Sequence, residues 1–520
     1  MGLGVVACAG SIIAVVACQT ELGHEVQAER PFHTETLPEA VPAELARNDR
    51  IGVAALADVP FSLSSGEVNV QFSVAVVLLA VLTAPLSGVG DPRPPSESSA
   101  GSVAIYDPNS NHIWNRLHAI FFVRDDLPGT ELVPDALDPP FWYHTTYLLA
   151  QPSHNKALRV LDEFLQTHAE NLIRDPVKRA LLQRDLWAVF DWSVETAPGY
   201  EKEKRELQAR LTEILRRLAP MPEQLGSLPD NYAQAVASGE FAKEYDPEHR
   251  ERAFLPPDLF EPHGPWVELE GRGNPLPVAE QHDSFFSGRS SFLVFLRLPG
   301  GRKATFDYLK TLWNSPVPMV PSPHFSPLQD EAPNPDLPQL PAGTQVALVR
   351  QMTVFDNQGR LTASPITESV QIRVYRSVTV STAPAVGIDQ MITKSGQDFY
   401  AIRLSRSLLF ANQSGGLKAA RMDERDFALF GGGGPDEGPP AHYVSLATYH
   451  PVVKACVMCH REVGLQSLST RGRLLKPNPL QQDLSTEAFG PRWWQDARVL
   501  SWKQGRDDWH LLSSSLNSAQ

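Results

Sequence analysis

The stretch TESVQIRVYRSVTV, Thr367 to Val380, decides the fold class. Val370, Ile372 and Val374 alternate with Gln371, Arg373 and Tyr375, the period of a strand with one face buried. On either side, Thr344 to Phe355 and Asp398 to Leu404 carry further strand signals, and Asp356-Asn357-Gln358-Gly359 has the turn chemistry of a hairpin. Upstream, Ser291 to Leu298 reads as a buried strand. Gly301 to Trp313 reads as a short helix with Phe306, Leu309 and Leu312 inward. From Asn111 to about Gly239 the apolar spacing lengthens to that of helices. There Ser153 is expected to cap a helix with Leu158, Leu161, Phe164 and Leu165 on its apolar face. Asp175-Pro176 is a helix start for a second, running through Ala180, Leu181, Leu182, Leu186 and Phe190. A third spans Tyr200 to Leu218 and stops before Pro220. The expected class is α+β, with a helical N-terminal layer and an antiparallel, β-rich C-terminal half that carries a short helical segment.

The chain of 520 residues has room for several domains. Residues 1–18 read as an export or lipoprotein signal and 19–100 as a linker with a strand segment. Residues 101–245 read as a helical domain and 250–313 as a mixed strand and helix segment. Residues 314–343, with nine prolines, read as a linker, and 344–520 as a β-rich domain with a Trp-rich tail. Val68 to Gly90 is uncharged, but Val68, Val70, Phe72, Val74 and Val76 alternate with Asn69, Gln71, Ser73 and Ala75. That favours a strand over a membrane span, which needs about 20 apolar residues. In the tail, Trp493, Trp494, Trp502 and Trp509 read as anchors of C-terminal strands and turns. Asp185 and Asp191, on either side of Trp187, read as capping or solvated carboxylates.

Charged residues make up 20% of the chain and apolar ones 42%, a globular balance. A net charge of −14 without a dense basic cluster argues against binding nucleic acid. The cysteines are more informative. There are four, Cys8, Cys18, Cys456 and Cys459. Val15-Val16-Ala17-Cys18 resembles a lipobox, which would make Cys18 a lipidated residue and a point of membrane attachment. The segment before it lacks the Lys or Arg of an ordinary export signal.

Cys456-Val457-Met458-Cys459-His460 meets a specific chemical demand. Covalent attachment of haem adds two thiols across the two porphyrin vinyl groups, and a spacing of two residues sets the sulfurs at the right separation. The histidine that follows then projects onto the iron. A zinc site would need two more ligands, and no second cysteine pair exists. The motif resembles that of the c-type cytochromes. That resemblance implies one covalent haem c held by Cys456 and Cys459, with His460 as the proximal iron ligand. Arg184 to Trp192 and Ser287 to Leu293 are similar to parts of uncharacterised exported bacterial proteins with a single late haem motif, which implies a periplasmic or outer-membrane-attached location. The Trp-rich tail is expected to pack over this haem-bearing domain.

The motif lies late, and no methionine follows Met458. A sixth iron ligand must come from upstream, from His510, or be absent. The candidates are Met352, Met391, Met422, His442 and His450, with His450 preferred for its closeness to the motif. No hydrolase elbow, metalloprotease motif, phosphate loop or dinucleotide fingerprint is present. The expected function is therefore redox or electron transfer through one haem, with a redox partner protein. The alternatives are a haem enzyme or ligand sensor with an open iron site, and an interaction lipoprotein.

Overall fold

The structure is a computed structural model. It describes residues 58–65, 68–75, 104–122, 146, 148–195, 199–271, 279, 282, 286–321, 331–378, 394–421, 425–427, 449–451, 456, 460, 462–468, 475–477 and 499–517. The chain divides into two compact units, Met1–Ser96 and Glu97–Gln520.

In the first unit, β1 (Asp58–Ser65) and β2 (Val68–Ala75) form an antiparallel hairpin, with Phe61 opposite Phe72. The alternating stretch from Val68 is thus a strand as far as Ala75. The rest of that apolar stretch, to Gly90, lies outside the described residues, as does the lipobox ending at Cys18.

The second unit opens with helices. These are α1 (Ile113–Phe122), α2 (Ser153–Gln166), α3 (Pro176–Glu195), α4 (Glu201–Leu218), α5 (Pro222–Gly226) and α6 (Asn231–Ser238). Asp175 caps α3 as its sequence predicts, its Oδ1 accepting from the backbone N–H of Val177 (2.8 Å) and Lys178 (3.1 Å). Ser153 does not cap α2. It lies inside the helix, and Pro152 before it has no hydroxyl to offer.

Next come β3 (Val267–Gly271), β4 (Ser290–Arg297), α7 (Gly301–Trp313), β5 (Met319–Pro321), β6 (Glu331–Pro333), β7 (Thr344–Phe355), β8 (Leu361–Tyr375) and β9 (Gln397–Leu404). They are followed by α8 (Arg406–Phe410), β10 (Leu417–Ala419), β11 (Arg425–Phe427), β12 (Tyr449–Pro451), α9 (Leu465–Leu468), β13 (Leu475–Pro477) and α10 (Asp507–Asn517). Seven strands form one antiparallel sheet in the order β10-β9-β8-β7-β4-β3-β13. The fold is α+β, with helices on the N-terminal side and antiparallel strands in the C-terminal half.

The long β7–β8 hairpin turns where expected. Asp356 Oδ1 accepts from the N–H of Gln358 and Arg360, both at 2.9 Å, and Gly359 takes φ 73°. Its register shifts between Arg350 and Thr353, so Glu368 has no partner in the ladder. Helix side chains satisfy the backbone there. Asn231 of α6 donates to Thr367 O (3.0 Å) and accepts from Thr367 N (2.7 Å), and Gln183 of α3 donates to Phe355 O (2.9 Å).

Alternation gives the sheet two faces. Leu293, Val349, Val370, Ile372, Val374 and Ile402 pack against the helices in the larger core. Phe292, Val294, Leu296, Val346 and Tyr375 face the other way, with α7, Leu465 and Leu468, in a second core. The tail departs from its reading. α10 is a helix, and its Trp509 packs on Trp187 and Phe355, each with centroids 5.8 Å away, in the helix-side core. Trp493 and Trp494 lie outside the described residues.

Asp185 and Asp191 are not solvated. α3 is buried from Ala180 to Ser193, so its polar residues must find partners inside. Asp185 is bonded to the Arg406 guanidinium, to Tyr106 OH (2.9 Å) and to His118 Nδ1 (3.1 Å). Asp191 accepts from Lys503 Nζ (2.6 Å) and Arg289 Nη1 (2.5 Å). Lys503 also reaches Asp508 at 2.8 Å. Gly288, at φ 74°, gives this lysine its passage, because a Cβ there would stand 2.8 Å from Lys503 Cβ.

Candidate functional site

The described part of the cysteine–histidine motif lies on the sheet face turned away from the helices. The ladder aligns Val294, Leu348 and Gln371 in one row across β4, β7 and β8, and Leu296, Val346 and Arg373 in the next. Most of these side chains are buried, but Leu348 and Gln371 are half-exposed. Cys456 is half-buried, and its Sγ lies 3.6 Å from Gln371 Oε1.

His460 is held from its back. Its Nδ1 lies 2.8 Å from the backbone oxygen of Ser467, and since a carbonyl only accepts, Nδ1 carries the proton. The lone pair of the neutral ring is then on Nε2. Burial, and after it the Arg373 charge, pushes the imidazole well below its usual pKa against the opposing pull of the Ser467 carbonyl. The ring is therefore neutral at pH 7, the form a metal ligand needs.

Ser467 is itself fixed. Its carbonyl accepts from Arg373 Nη1 (3.1 Å), and its hydroxyl shares a hydrogen bond with Tyr375 OH (2.7 Å). Gly464 makes the tight turn between motif and α9. It has φ 57°, and a Cβ there would meet Gln339 Oε1 at 2.2 Å, the same oxygen that accepts from Leu465 N at 3.0 Å. Leu465 and Leu468 then bury themselves in the second core. Gln397 Nε2 ties the segment to β9, donating to His460 O (3.0 Å) and Glu462 O (3.2 Å).

A residue absent from the sequence-based candidates faces this histidine. The His282 and His460 rings lie 6.4 Å apart between centroids, with planes only 4° from parallel. His282 rests on Phe292 of β4 (centroids 5.6 Å apart), and its backbone N–H donates to Ala279 O at 2.7 Å. Its sequence neighbourhood, Glu280-Gln281-His282-Asp283, contains no motif, so only the sheet reveals the pairing.

The other candidates fall elsewhere or outside the description. Met352 is wholly buried in the helix-side core. His510 is exposed on α10. His450 stands opposite Asp426 in the β11–β12 pair, and its side chain lies outside the described residues. Cys459, Met391, Met422 and His442 also lie outside them. Among the described residues, no helix is long and apolar enough to cross a membrane. Nor do three or more His, Cys, Asp or Glu side chains among them gather as a metal site. Comparison of the chain with protein-family models, curated proteins and solved structures returns no match.

Proposed function

We propose that this chain carries one haem c, attached through Cys456 and Cys459 with His460 as proximal ligand, and that it works as an exported electron-transfer protein. The observation that carries the reading is the mounting of His460. A ligating histidine characteristically gives its remote N–H to a carbonyl, which fixes the tautomer and aims the other nitrogen outward. Ser467 O does this at 2.8 Å, and Arg373 and Tyr375 hold Ser467 in place.

The surroundings suit such a group. Val294, Val346 and Leu348 offer an apolar floor beside the Cys456 thiol, with the half-exposed Leu348 able to bury further surface. When bound, haem supplies one-electron exchange at its iron. The chain's own residues then have three tasks: Cys456 and Cys459 tether, His460 orients, and the sheet excludes water from one side. A separate redox protein is the partner this reading requires, and Cys18 is the proposed point of lipid attachment to the membrane. The net charge of −14 weighs against a nucleic-acid partner.

The test is export of the full chain in a host with a haem-ligation system. Denatured protein should retain haem and give a c-type pyridine haemochrome with one haem per chain. The double variant Cys456→Ser, Cys459→Ser should lose covalent haem entirely. Wild-type protein exported without covalent haem would refute the reading.

A further inference from the structure

We infer that His282 is the second axial ligand, trans to His460, so that the iron is held between two histidines. This rests on the haem reading above and adds to it the coordination state.

The argument is geometric. An imidazole nitrogen binds a metal at about 2.0 Å, and the ring centroid sits about 1.15 Å behind that nitrogen. Two imidazoles on opposite sides of one metal therefore place their centroids about 6.3 Å apart. The observed separation is 6.4 Å. A tetrahedral zinc site formed with Cys456 and Cys459 would bend the two nitrogens toward each other and bring the centroids to about 5.1 Å. A direct N–H···N hydrogen bond would also give about 5.1 Å. The measured distance fits the trans arrangement and exceeds both of the others.

The two rings are mounted independently, yet they come out parallel to within 4°. His460 is oriented by Ser467 O, above β8 and β9. His282 lies against Phe292 of β4, which packs on Phe286 with centroids 5.5 Å apart. β7 runs between those strands and presents Leu348 and Val346 on the same face. The two parallel rings stand beside one sheet face, where Cys456 lies on Gln371.

Bis-histidine ligation also fixes the kind of redox chemistry. A six-coordinate iron leaves no open position for a substrate or gas, so the enzyme and sensor alternatives give way to electron transfer. Two histidines, in place of histidine and methionine, set a lower potential.

The experiment uses the full-length, haem-loaded protein. Wild type should be low-spin in the ferric state, should fail to bind carbon monoxide readily when ferrous, and should give the well-resolved rhombic electron paramagnetic resonance signal of parallel imidazole planes. His282→Ala should keep one covalent haem per chain by pyridine haemochrome but become high-spin and bind carbon monoxide. Added imidazole should return it to low spin, which an unfolded variant would not do. His282→Met should remain six-coordinate with a raised midpoint potential. His450→Ala should leave every spectrum unchanged. A low-spin spectrum unaffected by His282→Ala, or one lost on His450→Ala, would overturn the assignment while leaving haem attachment intact. Wild-type chain without covalent haem, or with zinc in its place, would instead overturn the reading beneath it.

Discussion

The two faces of the sheet handle buried polarity in opposite ways. Toward the helices, charge is closed on itself. Asp185 meets Arg406, His118 and Tyr106, while Asp191 meets Arg289 and Lys503, and Lys503 in turn meets Asp508. Each of these ions has an opposite charge in contact, and α3 runs among them buried from Ala180 to Ser193. On the other face two imidazoles are held apart at 6.4 Å, a thiol sits half-buried, and an apolar side chain at the sheet centre is half-exposed. A network of buried charges paired in this way is a device for docking helices on a sheet. Two parallel imidazoles beside a thiol are, on the proposed reading, a device for holding haem.

The comparison is broken most sharply on the helix side. Lys503 is fully buried, its charge spans two carboxylates, and its Nζ sits 5.0 Å from the Trp187 ring centroid. Lys503→Met keeps the stem and removes the charge, leaving Asp191 to Arg289 and Asp508 to Arg506. Deleting one member of a buried ion cluster costs about 3–5 kcal/mol. A urea titration of the variant should show that loss, and the haem spectrum of its folded fraction should match wild type. A loss below about 1 kcal/mol would mean the cluster does not hold the helices to the sheet.

These faces were unequally legible in the sequence. The strands of the central hairpin follow from alternation, because a half-buried strand must repeat every second residue, and Val370, Ile372 and Val374 do so. β8 nonetheless starts earlier than its pattern, at Leu361, since Pro365 hides the first part and the register shift breaks the alternation. Asp185 and Asp191 were misread for a physical reason: a carboxylate in a helix is normally solvated, and what overrides that rule lies far along the chain. Arg406 is 221 residues from Asp185, and Lys503 is 312 from Asp191. The same limit hid His282. Covalent tethering is a local demand that a five-residue motif can declare, whereas a trans ligand needs only to arrive in space.

A second prediction concerns acid. Burial alone would raise the Asp185 carboxyl, but Arg406, His118 and Tyr106 together hold it below its ordinary pKa. The unfolded chain then binds more protons at this position than the folded one, so its contribution to stability is present above the ordinary carboxylate range and lost as pH falls through the lower folded value. Asp191 goes the other way, since burial pushes it up and Lys503 and Arg289 only partly offset that. Asp185→Asn should cost about 2 kcal/mol at pH 7. The gap to wild type should shrink as pH drops below about 4 in parallel unfolding titrations. A gap that is constant with pH would show that Asp185 does not titrate differently in the two states.

The smallest expected effect sharpens the other face. Gln397 gives its amide to His460 O and Glu462 O, two carbonyls of the motif segment. Gln397→Ala removes both bonds and should cost about 1 kcal/mol. Because the Ser467 anchor of His460 is separate, made through Arg373 and Tyr375, the ring should keep its aim. The variant is therefore expected to stay low-spin while amide exchange at residues 462–468 quickens relative to the helix-side core. Quickened exchange in the helix-side core as well would mean that the two faces form one cooperative unit. Exchange confined to the motif segment would mean that this face can loosen around its histidine without disturbing the ion cluster behind it.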